Sequence, residues 1–140
     1  MSLDGSSIRI TTLPNGMRVA TDSMAHVETV TVGVWVHAGT RHEPAEINGV
    51  SHLLEHMAFK GTERRTAQGL AEEVEAVGGY MNAYTSREQT VYYLKLMAED
   101  LELGVDVLAD ILQHSVFDPD ELERERSVVV QEILSADDMP

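Results

Sequence analysis

The chain has 140 residues, 43% of them apolar, enough for one domain with a hydrophobic core and too many for a disordered chain. It contains no cysteine, which excludes disulfides, thiolate metal sites and a cysteine nucleophile, so any metal site must be built from histidine and carboxylate. The formal net charge of −14 disfavours nucleic acid and anionic membrane as partners and favours basic ones, and no apolar run approaches the roughly 20 residues of a transmembrane helix.

The first seven residues, MSLDGSS, read as a small unstructured leader. The start has neither the basic region nor the apolar stretch of a secretory signal. IRITTL, PNG and MRVATD then predict two alternating strands around a tight turn at Pro14, Asn15 and Gly16. Residues 27–39 form a β-branched run with Val30, Val32, Val34 and Val36 on one face and Thr29, Thr31, Gly33 and Trp35 on the other. A helix is expected from about Asn48 to about Phe59. A second is expected from about Thr66, a good N-cap, to Gly78. YMNAYT and EQTVYYLKLM read as strands. Leu101, Val105, Leu108 and Leu112 make a helical stripe in the segment that follows, and Asp118-Pro119 opens a long final helix.

Three strands, two helices, two strands and two helices indicate an α+β fold, a mostly antiparallel or mixed sheet packed with helices, rather than a doubly wound parallel sheet. No repeat, low-complexity segment or linker divides residues 1–140, which read as a single domain.

The chemistry concentrates in SHLLEHMAFKGT, residues 51–62. On a helix, residues three and four apart share a face, so His52 and His56 can offer two nitrogens to one cation, with Glu55 beside them. Zinc held by two imidazoles and a carboxylate keeps a position for water, and a neighbouring carboxylate can take a proton from that water. This is the H-x-x-E-H arrangement. The plainer reading is an amphipathic helix packed through Leu53, Leu54 and Met57 that happens to carry two imidazoles. A third ligand must come from another element, and the last helix offers Glu121, Glu123, Glu125 and Glu132. Glu125 and Glu132 share a face but lie about 10.5 Å apart along it, so only one can touch the metal. Val128, Val129, Ile133 and Leu134 give SVVVQEIL the look of a core helix, in which a buried glutamate would be paired or metal-bound, whereas ELERER looks solvated.

GVSHLLEHMAFKGT, GGYMNAYTSREQTVYYLK and ERERSVVVQEI together resemble the pitrilysin-type inverzincin metallopeptidases, in particular their processing-peptidase branch and its bacterial relatives. The likeness runs from PNGMRVAT onward. It implies a zinc-dependent endopeptidase with His52, His56 and Glu132 as zinc ligands, Glu55 as general base, and Glu125 supporting the site behind the ligands. It also implies that Asn82 and Ala83 bind an extended peptide by adding it to a strand edge. Members of the family are several times longer and contain two related α+β domains. By resemblance this chain is therefore the N-terminal active-site part, without the C-terminal half or partner subunit that completes the substrate chamber. The expected partners are an extended basic peptide, that missing half or subunit, or a second copy of the chain. The expected location is the bacterial cytoplasm, or the mitochondrial matrix if a leader has been removed. The alternative is a non-catalytic interaction or scaffold subunit, either zinc-stabilised or metal-free.

Overall fold

The computed structural model describes residues 7–137, so the expectation for residues 1–7 lies, Ser7 apart, outside the described residues. Strands β1 (Ile8–Thr12) and β2 (Arg18–Asp22) form the expected hairpin, with Ile8 opposite Asp22 and Thr12 opposite Arg18. Its turn is closed by the Leu13 and Gly16 amides, which donate to the Met17 and Leu13 carbonyls. The hairpin is a sheet of its own and is exposed on both faces.

Strands β3 (Thr29–Val36), β4 (Tyr80–Thr85) and β5 (Thr90–Met97) make the second sheet, in the order β3-β5-β4 and antiparallel throughout. The register sets Val32 opposite Leu94 and Met81 opposite Leu94 on the other side. Val34 and Ala83 both meet Tyr92. Side chains alternate along each strand, so these residues line one face, and all the helices packed on the sheet meet it there. The predicted valine face is therefore the core face, although Val36 at its end stays exposed.

Among the described residues four α-helices follow or interrupt the strands: α1 (Val50–Met57), α2 (Ala67–Ala76), α3 (Leu101–Gln113) and α4 (Pro119–Asp137). Helix α2 begins with Thr66 as its cap, the Thr66 hydroxyl accepting from the Gly69 amide at 3.0 Å. Leu70 and Val74 of α2, Val107, Leu108 and Ile111 of α3, and Tyr92, Leu94 and Leu96 of β5 form the centre of the core. Burying each such side chain contributes about 1.5–3 kcal/mol. The fold is α+β, with helices gathered on one face of an antiparallel sheet.

Three expectations about helix faces fail in whole or in part. In α3, Leu101, Val105 and Leu112 are exposed, and the buried face is Gly104, Val107, Leu108 and Ile111. Both sets have helical spacing, so periodicity alone could not choose between them. Gly104 decides it. A Cβ there would lie 2.6 Å from Leu96 Cδ1 and 2.8 Å from Val32 Cγ1, so the missing side chain is what lets this face close on the sheet. In α4, Val128, Ile133 and Leu134 are exposed and only Glu125 and Val129 are buried, so SVVVQEIL is not a core helix among the described residues. Leu54 of α1 is likewise exposed, while Met57 is fully buried.

The loop after α1 is tied to α3 by a buried carboxylate. Asp110 accepts from Thr62 Oγ1 at 2.8 Å, Arg65 Nη1 at 2.7 Å and Arg64 Nε at 3.1 Å. Arg65 also bridges to Glu73 and Asp106. Among the described residues no helix is long and apolar enough to cross a membrane.

Candidate metal centre

Helix α1 is only eight residues long, too short to persist on local propensity. Three features hold it. Its N-cap is Gly49, at φ 96°, a left-handed conformation that an L side chain rarely adopts and that provides no side-chain cap. Glu43, from the loop before it, supplies the missing acceptor, its two oxygens taking the Gly49 and Ser51 amides at 2.7 Å each. Burial raises the Glu43 carboxyl pKa, but hydrogen bonds from Ser51 and Gly49 outweigh it and hold the group below the usual carboxylate range. At the other end, Met57 and Ala58 are buried, and the helix lies against β4 and α4.

Helix α4 is started by Asp118, whose Oδ1 accepts from the Asp120 and Glu121 amides at 2.9 and 3.1 Å. It brings two of its four candidate glutamates to α1. Glu132 Oε2 lies 3.3 Å from His52 Nε2 and 3.6 Å from His56 Nε2, and the two Nε2 atoms are 3.2 Å apart. Glu125 reaches the opposite side of His56, Oε2 lying 3.0 Å from Nδ1. Glu121 and Glu123 instead pair with Arg124 and Arg126 on their own helix.

The three converging atoms test the fit of a metal ion. Four donors placed tetrahedrally about 2.0–2.1 Å from zinc are separated from one another by about 3.4 Å. The observed separations of 3.2, 3.3 and 3.6 Å are close to that edge. Among the described residues, His52, His56 and Glu132 are the one set of three or more such groups that converge in this way. Two nitrogens and one carboxylate oxygen suit zinc at a site that keeps a position open.

Burial differs from expectation in both directions. Glu132 is not a core residue: its side chain is 49% exposed, against 33% for His52 and 19% for His56, so the centre opens to solvent on the Glu132 side. Glu125, in a segment that looked solvated, is the buried glutamate, its side chain only 10% exposed. Burial raises its pKa, and the hydrogen bonds from Lys60 and His56 reverse this, leaving the carboxyl below its ordinary range. Lys60 Nζ sits 2.6 Å from Glu125 Oε1. Neither Lys60 nor Glu43 stood out in the sequence. Lys60 lies four residues after His56, the spacing of one helical turn, and that was the available signal.

Glu55 lies on α1 between the two histidines in sequence and makes no hydrogen bond or ion pair with a described residue, so its carboxylate is a free acceptor. Burial raises the Tyr92 hydroxyl pKa, and the Glu55 charge adds to the effect. Asn82 and Ala83 lie on β4, one of the two edge strands of the three-stranded sheet, next to α1. Asn82 is exposed. Its Oδ1 accepts the Ala83 amide at 2.8 Å and its Nδ2 donates to the Tyr80 hydroxyl at 2.5 Å.

Residues 18–140 match the model of the insulinase family, peptidase family M16. The chain belongs to that family. It is 54% identical over 131 residues to a probable mitochondrial-processing peptidase subunit beta of Arabidopsis thaliana, covering 94% of this chain and 25% of that protein. It is 46% identical over 129 residues to an uncharacterized zinc protease, YmxG, of Bacillus subtilis, covering 92% of this chain and 32% of that one. A crystal structure of a protease from Helicobacter pylori superposes with a TM-score of 0.85 at 30% identity, over 91% of this chain and 31% of its own. The chain thus spans about a quarter to a third of the length of these relatives, which come from a plant, where the name is mitochondrial, and from bacteria.

Proposed function

We propose that this M16 chain carries the active centre of a zinc-dependent endopeptidase, with His52, His56 and Glu132 holding the metal and Glu55 as general base. The observation that carries the reading is the convergence of two Nε2 atoms and one carboxylate oxygen at tetrahedral spacing, with an unpaired glutamate one residue from the second histidine.

Zinc, when bound, would supply a Lewis acid and an acidified water. Glu55, whose oxygens have no competing donor, accepts the proton that the attacking water loses and returns it to the leaving amine. Glu125 accepts from His56 Nδ1–H, which fixes the tautomer and leaves Nε2 bare for the metal. An extended peptide adds to the open edge of β4 through backbone hydrogen bonds, the Asn82 side chain releasing the Ala83 amide to it. The charge of −14 favours basic peptides, an attraction that salt weakens. The remainder of the substrate chamber comes from chain beyond this stretch or from a partner subunit.

Zinc content of the wild type and Glu132→Gln, with cleavage of a quenched basic peptide by the wild type and Glu55→Gln, tests the reading. The expected result is one zinc per chain, lost in Glu132→Gln, and turnover abolished in Glu55→Gln with zinc retained. Cleavage that survives Glu55→Gln overturns the assigned base. Zinc retained with no wild-type turnover points to an intact but incomplete site.

A further inference from the structure

We infer that Lys60 is a positioning residue of the metal centre, acting on His56 through Glu125. This inference rests on the metal reading of His52, His56 and Glu132. Glu125 has two oxygens and two partners: Oε1 takes Lys60 Nζ at 2.6 Å, and Oε2 faces His56 Nδ1 at 3.0 Å. Lys60 leaves the turn that ends α1, where its own amide donates to the Met57 carbonyl at 3.1 Å. The chain of contacts therefore runs from the foot of the histidine helix to α4 and back to the second histidine.

Its physical logic is geometric. The terminal torsion of a glutamate is broad, so one hydrogen bond does not fix which oxygen points where. With Lys60 holding Oε1, the carboxylate plane is pinned at both ends and Oε2 alone is presented to His56. An ionised carboxylate only accepts, so His56 carries its proton on Nδ1 and keeps Nε2 free on the side facing His52 and Glu132. The cation also offsets a charge that is otherwise nearly enclosed, since Glu125 is 10% exposed and Lys60 and His56 are its partners among the described residues. Lys60 makes no hydrogen bond or ion pair with His52, His56 or Glu132. It touches Glu125, and its effect on the metal passes through that residue.

The test is zinc affinity, read by chelator competition, in wild type, Lys60→Met, Lys60→Arg, Glu125→Gln and the Lys60→Met/Glu125→Gln double variant, with far-UV circular dichroism as the check of folding. Groups that orient a metal-bound histidine are worth about 10–100-fold in affinity. Glu125→Gln is expected in that range and Lys60→Met, one contact further out, at roughly 3- to 10-fold. Lys60→Arg should bind within about twofold of wild type. The double variant should bind no more weakly than Glu125→Gln, because Lys60 has nothing left to act through. Lys60→Met binding zinc like wild type, or losses that multiply in the double variant, overturn the inference and leave the metal reading standing. Wild type that binds no zinc overturns both. If Lys60→Met does not fold, Lys60→Gln, shorter and uncharged, is read on the same terms. A further readout is the nitrogen NMR spectrum of the zinc-free wild type. His56 protonated on Nδ1 supports the arrangement, and His56 protonated on Nε2 overturns it.

Discussion

Replacing Asp110 by asparagine keeps the shape of a fully buried side chain and removes its charge. Burial raises the Asp110 pKa, but hydrogen bonds from Arg65, Thr62 and Arg64 outweigh it and hold the carboxyl at about 2, against an ordinary 3.8. That difference corresponds to about 2 kcal/mol of stability at neutral pH. Breaking a buried ion pair can cost about 3–5 kcal/mol. The lower figure applies here because Arg65 keeps Glu73 and Asp106, and Arg64 keeps Asp106 and is half exposed. The sign follows from a folded pKa below the unfolded one: the stabilisation is present above about pH 3.8 and is lost as pH falls toward 2. About half of it has gone by pH 3. Urea unfolding followed by circular dichroism, in chelator so that no metal contributes, should therefore show Asp110→Asn about 2 kcal/mol less stable than wild type at pH 7 and about 1 kcal/mol less stable at pH 3. A difference under about 0.5 kcal/mol at pH 7, or one that does not shrink at pH 3, would refute the reasoning, since an ordinary surface substitution does as much.

Gly104→Ala should cost about 1–3 kcal/mol by overpacking against Leu96 and Val32, whereas Val105→Ala, on the exposed face of α3, should cost under about 1 kcal/mol; equal losses in chemical denaturation would return α3 to the face first expected. Glu43→Ala should destabilise the fold by about 1 kcal/mol through the two amides it leaves without an acceptor, and thermal melts with Glu43→Gln, which retains an acceptor, should show a smaller loss. Zinc at 100 times its dissociation constant should stabilise the wild type by about 2.7 kcal/mol, an effect that differential scanning calorimetry should find missing in His52→Ala.

The sequence by itself determined the elements and the residue types of the centre. Alternation in residues 29–36, the Thr66 cap and the Asp118-Pro119 start are short-range signals, written in neighbouring residues, and each appears in the structure close to where it was expected. The spacing of His52, Glu55 and His56 is likewise local, because one helical turn is enough to make them neighbours. Burial was not local. Two faces of α3 carry apolar residues at helical spacing, and only the close approach that Gly104 allows selects one of them. Along α4 the apolar run around Glu132 suggested a buried carboxylate and the charged run around Glu125 an exposed one, and the packing of α1 against α4 reverses both. Hydropathy reports what a side chain would prefer. Which glutamate is enclosed depends on where a helix from far along the chain crosses the histidines, and Lys60 beside Glu125 follows from the same crossing. Tertiary structure alone brings those groups within hydrogen-bonding distance, because the contacts join residues 65 to 80 positions apart that no periodicity connects.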